Sequence, residues 1–229
     1  MKNKKEFVFN IFEKIAPIYD VFNDVATFGF DDYIKNQSIK KLQLPQFSKI
    51  LDVCTGTGDI AVLLAKKYPD SKIIGIDFSE QMLDVAQKKA ISVNNIEFIR
   101  HDVLELPFDD ETFDACFVSY GLRNLDDFDK GLAEMNRVLK KGGYLSNLDL
   151  GKPNRFINIF FRPFFFKIMP LIGQLFAKSK DPFKYLAASS VSFYSPNEIC
   201  EKMTNLGLKD IKTYNYLFGV IAQQVAIKK

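Results

Sequence analysis

The sequence has few of the residues from which metal centres and disulfide frameworks are built. It holds one histidine, His101, and three cysteines, Cys54, Cys116 and Cys200, with no CxxC spacing among them. One imidazole is too few for a histidine-built metal site, so no metal is expected, and three thiols cannot all pair, which fits a reducing cytoplasm. Strong charge is also missing. A formal net charge of +3 over 229 residues does not point to a nucleic-acid partner. Its lysines gather at the two ends, in "MKNKKE" and "IKK", and read as solvated tails. The amino terminus lacks the apolar core of a signal peptide. The most apolar block, "RFINIFFRPFFFKIMPLIGQLFAKSKDPFKYL", is broken by Arg162, Pro163, Lys167 and Pro170, too often for a membrane-spanning helix. No Pro/Ser-rich or single-sign linker and no internal repeat divides the chain. With 47% hydrophobic and 26% charged residues, it is expected to fold as one domain over residues 1–229.

What is present is alternation. The runs "KILDV", "KIIGID", "IEFIR", "FDACFVSY" and "GGYLSNLDL" read as short buried strands, and amphipathic stretches near Ile60–Tyr68, Glu80–Ile91 and Asp126–Leu139 lie between most of them. Strand and helix in turn predict an α/β fold, a mostly parallel sheet with helices on both faces. After Gly151 the alternation stops until "SPNEICEKMTNLG", which is followed by "LKDIKTYNY" and "VIAQQVAIKK", two strands expected as a terminal antiparallel hairpin. Before Lys49, helical spacing on both sides of Pro17 predicts a helical cap over residues 1–45, laid over the sheet's edge. Residues 151–196 form an insertion after the fifth strand, where a lid would cover the strands' carboxyl ends.

In "KILDVCTGTGDIAVLLAKKYPDSKIIGIDFS", Gly56 and Gly58 follow a strand and open a helix, which lets a ligand approach the backbone. Asp77 ends the next strand, nineteen residues after Gly58, where open α/β sheets place an acid on ribose hydroxyls. NAD and S-adenosylmethionine both carry such a ribose. The dinucleotide fingerprint is matched in part, by Gly56, Gly58 and Ala61, so an NAD-dependent oxidoreductase stays open at this point, as does a non-catalytic cofactor-binding protein. A third acid, Asp102, lies just past the third strand, and the fourth ends at Ser119 before the turn "GLRN". One acid for each polar end of the ligand, with no pyrophosphate to cradle, suits a sulfonium cofactor better than a dinucleotide.

This layout resembles the class I S-adenosylmethionine-dependent methyltransferases, with a Rossmann-like sheet of seven strands. The likeness narrows further. "FEKIAPIYDVFND", "FGFDDYIK", "ILDVCTGTGD", "LPFDDETFD", "SYGLRNLDDFDKGLAEMNRVLKKGG" and "FKYLAASSVSFYSP" together resemble the menaquinone/ubiquinone-biosynthesis C-methyltransferase family over nearly the whole chain. The resemblance implies S-adenosyl-L-methionine as cofactor, contacts at Thr57, Asp77, Asp102, Val103 and Ser119 supported by Gly56 and Gly58, and an isoprenoid quinol as partner. Demethylmenaquinol is favoured as acceptor over the benzoquinol intermediate of ubiquinone synthesis. "FGFDDYIK" lacks the His and Trp of the family's "FGxHxxWK", and "LDLGKP" replaces "LEFSKP", departures that touch the acceptor pocket.

Some residues keep two readings. Asp52 is either a buried acid satisfied by loop amides or a contact to the cofactor's amino group. Cys54 and Cys116 read as core, and His101 as a loop residue. The sulfonium methyl is already activated, so the protein must align a carbon nucleophile with it and manage one proton. Arg123 in "GLRN" and Tyr19 in "PIYD" are the catalytic candidates, orienting the acceptor oxygen or its water. The phenylalanines of Arg155–Phe176 face an isoprenoid tail, rest on the membrane at its inner face, or pack in the core or a homodimer.

Overall fold

The computed structural model describes residues 4–171, 174 and 181–229. Seven strands form one sheet: β1 (Lys49–Val53), β2 (Lys72–Asp77), β3 (Ile96–Arg100), β4 (Phe113–Ser119), β5 (Leu139–Leu150), β6 (Leu208–Tyr216) and β7 (Ile221–Lys228), in the order β3-β2-β1-β4-β5-β7-β6. β1 runs parallel to β2 and β4, β2 to β3 and β4 to β5, while β7 is antiparallel to both β5 and β6. The expected parallel sheet with a closing antiparallel hairpin is therefore the fold observed. Alternation sorts the side chains to two cores. Leu51, Val53, Cys116 and Val118 face a cluster with Leu132 and Met135 of α6 (Phe128–Val138). Ile50, Ala115 and Phe117 face the other, with Ile60 and Leu64 of α4 (Asp59–Lys67).

Helix ends follow their caps. The helix expected from Asp126 starts at Phe128, because the Asp127 carboxylate accepts from the Lys130 amide at 2.9 Å and fixes the first turn. α5 (Glu80–Lys89) is capped by the Ser79 hydroxyl and passes into a 3-10 turn at Ala90–Ser92 rather than reaching Ile91 as α-helix.

Before the sheet, α1 (Lys4–Ile15), a 3-10 turn holding Pro17, α2 (Tyr19–Ala26) and α3 (Asp31–Ile39) follow one another. Ile34 and Ile39 of α3 join the second core. The apolar faces of the first two helices, Val8, Ile11, Phe12, Ile15 and Phe22, pack on Met82 of α5 and on Phe165, Met169, Phe183 and Leu186 of the insertion. Apolar faces turned to each other hold the cap and insertion together at the carboxyl ends of the parallel strands.

The insertion begins with α7 (Arg155–Pro163), runs on through a π-helical turn at Phe164–Ile168, and resumes in α8 (Asp181–Ser192) before α9 (Pro196–Asn205). Of the stretch Arg155–Phe176, positions 172–173 and 175–176 lie outside the described residues. Phe165 and Met169 turn inward, whereas Phe156 and Phe160 are each 78% exposed and Ile159 is exposed beside them. No helix of the described residues is long and apolar enough to cross a membrane. Two of the lysines near the ends are not solvated as expected. Lys228 donates to the carbonyls of Asn136 and Leu139 at 2.8 and 2.7 Å, satisfying the end of α6, and Lys5 meets Asp102.

Candidate active site

The order of strands reverses at β1 and β4, and the loops leaving their carboxyl ends enclose one cavity of about 1020 Å³, counted to its open mouth. The loop after β1 bends through left-handed backbone at Cys54, Gly56 and Gly58. Asp77, at the end of β2, fastens it: one carboxylate oxygen accepts from the Gly56 amide and the other from the Ser79 amide, each at 2.9 Å. Asp52 accepts from the Thr55 hydroxyl at 2.6 Å. Burial pushes Asp52 up to about 7 and Asp77 up to about 6, against the pull of these hydrogen bonds. Two buried carboxyls whose charge is disfavoured welcome a cation. S-adenosylmethionine brings an ammonium and a sulfonium, whereas a dinucleotide brings a pyrophosphate that these acids would repel.

The cavity brings together most of the residues singled out in the sequence. Asp52, Gly56, Thr57, Asp77, Asp102, Val103, Ser119 and Tyr19 all line it. Gly58 does not. A Cβ there would stand 2.8 Å from the Ala86 Cβ and 3.2 Å from the Phe98 ring, so this glycine lets the start of α4 pack against α5 and β3. Cys54 and His101 both line the cavity, and Cys54 also packs against the core cluster of Leu51 and Cys116, as expected for it. At Asp102, burial favours the neutral acid, but Lys5 and the Leu104 amide outweigh it and hold the carboxyl below the usual range.

The cap supplies residues that sequence reasoning missed. Lys5, Asn23 and Lys35 line the cavity, and Asp20 accepts from the Thr57 hydroxyl at 2.6 Å while pairing with Lys89 at the same distance. Lys35 joins Asp31, four residues back, to Asp59 at the start of α4. The i,i+4 spacing of Asp31 and Lys35 was the visible signal for part of this chain of charges. The rest crosses between segments.

On the far side of Ser119 the backbone turns through Tyr120, whose φ of +55° is a left-handed conformation that a bulky residue rarely adopts. Its carbonyl accepts from Arg123 Nη1 at 2.7 Å and from Asn124 Nδ2 at 3.0 Å, which explains the arginine and asparagine of "GLRN" as clamps on this turn. Arg123 does not line the cavity. Its guanidinium is buried against Asp149 of β5, Nη1 to Oδ1 2.7 Å, with side-chain exposures of 6% and 1%. Tyr19 lies on the cavity side of this pair. Burial pushes its phenol up, and the Arg123 charge partly offsets the push.

A seven-stranded sheet of this order, with a glycine loop tied to an acid at the end of β2 and a cation-favouring cavity at the switch of strand order, defines a class I S-adenosylmethionine-dependent methyltransferase. A methyltransferase of this class from Thermotoga maritima superposes with a TM-score of 0.71 at 23% identity, over 97% of this chain and 100% of that one. Phosphoethanolamine N-methyltransferase 2 of Haemonchus contortus, solved with S-adenosyl-L-methionine, gives 0.63 at 17% identity, over 86% of this chain and 52% of that one. The chain itself belongs to the ubiE/COQ5 methyltransferase family, which matches residues 1–228. The demethylmenaquinone methyltransferase of Staphylococcus carnosus (strain TM300) is 36% identical to it over 232 residues, spanning 100% of this chain and 95% of that protein.

Proposed function

We propose that this methyltransferase moves the methyl group of S-adenosylmethionine to a ring carbon of demethylmenaquinol, giving menaquinol. The observation that supports this acceptor is the full-length likeness to demethylmenaquinone methyltransferase. The cavity agrees with it chemically. Besides its acids it presents Val8, Phe12, Phe78, Met82, Leu104 and Leu125, an apolar wall suited to a fused aromatic ring.

In this reading Gly56 and Thr57 receive the methionine end, with Asp52 near its amino group, Asp77 takes the ribose hydroxyls, and Asp102 with Val103 takes the adenine. Ser119 borders the methyl group, with Tyr19 and Arg123 on the acceptor side. The bound cofactor supplies the electrophilic methyl, and the chain supplies alignment, exclusion of water and custody of the acceptor's proton. Asp77→Ala is expected to weaken S-adenosylmethionine binding about 10- to 150-fold, because a charged acceptor for the ribose hydroxyls is lost. Asp77→Asn, which keeps an acceptor for the Gly56 amide, separates the ribose contact from the loop. Titration calorimetry measures both. Tight binding of NAD with none of S-adenosylmethionine would overturn the cofactor assignment.

The exposed row Phe156, Ile159 and Phe160 lies beside Arg155 and Arg162, a pairing of apolar and basic groups that suits an anionic membrane surface. A tail too apolar for water would then pass between membrane and cavity. The protein is expected to float with vesicles containing phosphatidylglycerol, and to lose most of that binding on Phe156→Ser with Phe160→Ser. Undiminished flotation of the double variant, or none of the wild type, removes this part of the reading.

A further inference from the structure

Two turns beside α7 hold large rings out in water on backbone that such residues rarely adopt. Phe28, between α2 and α3, has φ +56° and is 57% exposed, and Phe218, between β6 and β7, has φ +57° and is 82% exposed. Each adjoins one end of α7. The Phe28 ring lies on that of Phe164, with centroids 4.6 Å apart and planes 31° from each other. Phe156, Phe160 and Phe164 follow at intervals of four residues, so the helical turns put them on one face, and Phe28 extends that row at its far end. At the near end the Gly151 amide donates to the Val220 carbonyl at 2.8 Å, which lays the Phe218 turn against the run leading into α7. No residue of α7 is buried. Residues 150–180 carry six basic residues and no acid, so every charge around this row is positive. That combination fits the boundary of an anionic bilayer, where rings enter the acyl region and cations stay with the phosphates. It fits a second copy of the chain poorly, because a two-fold contact would set Arg155 and Arg162 against their own copies.

We propose that the Phe28 and Phe218 turns, one at each end of α7, enter the same anionic bilayer as the α7 row. The inference rests on the membrane reading of α7 given above, and extends it to the cap and to the hairpin that closes the sheet. Phe28 follows α2, which carries Tyr19 and Asn23 to the cavity, and precedes α3, which carries Lys35 there. The bilayer thus meets the cap and the insertion together, on the side of the sheet where the cavity lies. The parts of this face act by different physics. Arg155 and Arg162 give the α7 row a Coulombic share that salt screens, whereas residues 27–30 and 217–219 hold no charge, so the turns act by apolar burial alone. Phe47 provides a control within the chain. It too is left-handed, with φ +61°, and 78% exposed, but it precedes β1, at the opposite end of the parallel strands.

The test is flotation of the full chain with vesicles of phosphatidylcholine and phosphatidylglycerol, at low and at high salt. Asparagine accepts left-handed backbone, so Phe28→Asn and Phe218→Asn remove a ring without adding strain. Each is expected to lower the partition coefficient about 5- to 10-fold, by the same factor at both salt concentrations, while Phe47→Asn leaves it unchanged. A second measurement does not depend on losing a side chain. The chain contains no tryptophan, so Phe28→Trp or Phe218→Trp supplies a sole indole, whose emission is expected to shift to the blue with vesicles and to be quenched by brominated lipid. Phe47→Trp should show neither change. Flotation undiminished by both asparagine variants, or indoles at 28 and 218 that respond no more than the one at 47, overturns the proposal, and the α7 reading survives if Phe156→Ser with Phe160→Ser still abolishes flotation. A wild type that does not float removes both. A dimer in sedimentation velocity that Phe28→Asn or Phe218→Asn dissociates would make this face a contact between copies and overturn the membrane assignment. None of these readouts involves the acceptor, so failure of the quinol assignment is detected separately, by methylation assay.

Discussion

Arg123→Ala is expected to lower the stability of the protein by about 3–5 kcal/mol and its turnover about 100- to 1000-fold, with affinity for S-adenosylmethionine changed only a few-fold. The size of the first effect comes from burial. At 6% and 1% exposure neither partner of the Arg123–Asp149 pair can be rescued by water, so removing the cation leaves an uncompensated carboxylate inside the fold. That carboxylate escapes by taking up a proton, and the pH dependence follows. Its folded pKa rises further above the unfolded value, so stability is fully present below the unfolded pKa and is lost as pH rises through the folded one. The deficit of the variant should therefore shrink as pH falls toward about 4. The second effect follows from loss of the clamp on the Tyr120 carbonyl, which holds the turn beside Ser119 at the cavity. Adding Asp149→Ala to Arg123→Ala should restore much of the stability and none of the turnover. Chemical denaturation and single-turnover kinetics at a temperature where the variants remain folded read the two effects apart. Full turnover of Arg123→Ala with saturating acceptor would exclude it from the acceptor side altogether.

The sheet and the cofactor loop were legible because their causes are local. Apolar runs such as "KIIGID" sit in a parallel sheet buried on both faces, and a run of that kind has few other places to go. Gly56 and Asp77 carry their meaning in one βαβ unit, where twenty-one residues of chain return the acid to the glycine amide. Gly58 shows what sequence cannot carry: it records that a side chain is missing, but the steric neighbour that forbids one, here Ala86 on the next helix, is visible only in three dimensions. Apart from the i,i+4 pair of Asp31 and Lys35, the cap contacts had no local signal. Lys5 meets Asp102 across 97 positions and Thr57 meets Asp20 across 37, and a lysine among lysines reads as solvated until a helix carries it to a carboxylate. Asp149 was hidden differently. In "NLDL" it looks like one more acid at a strand end, and its importance appears only when Arg123 is found buried against it.

Methyl transfer to a demethylmenaquinol analogue is expected only while the acceptor is reduced, with at least about a thousandfold loss when its ring is kept oxidised. The cofactor's methyl is cationic, so the new bond must be made with an electron pair from the ring carbon. A quinone ring has its density drawn toward two carbonyls and offers none. Reduction converts those carbonyls to hydroxyls, and ionisation of one places charge on the carbon beside it. The acids of the cavity, Asp52 and Asp77, cannot substitute for that reduction, because a carboxyl group supplies no electrons to a quinone ring. The same reasoning fixes the pH dependence: the rate with the reduced acceptor should rise with pH until its hydroxyl is ionised in the site, then level off. Transfer of labelled methyl from S-adenosylmethionine, in the presence and absence of a reductant such as dithionite, measures the ratio, and NMR of the product locates the methyl group. Equal transfer to the oxidised ring would refute the mechanism. Label on a hydroxyl oxygen would refute carbon as the nucleophile, because the acceptor's oxyanion would then have attacked through oxygen, leaving the methyltransferase assignment standing.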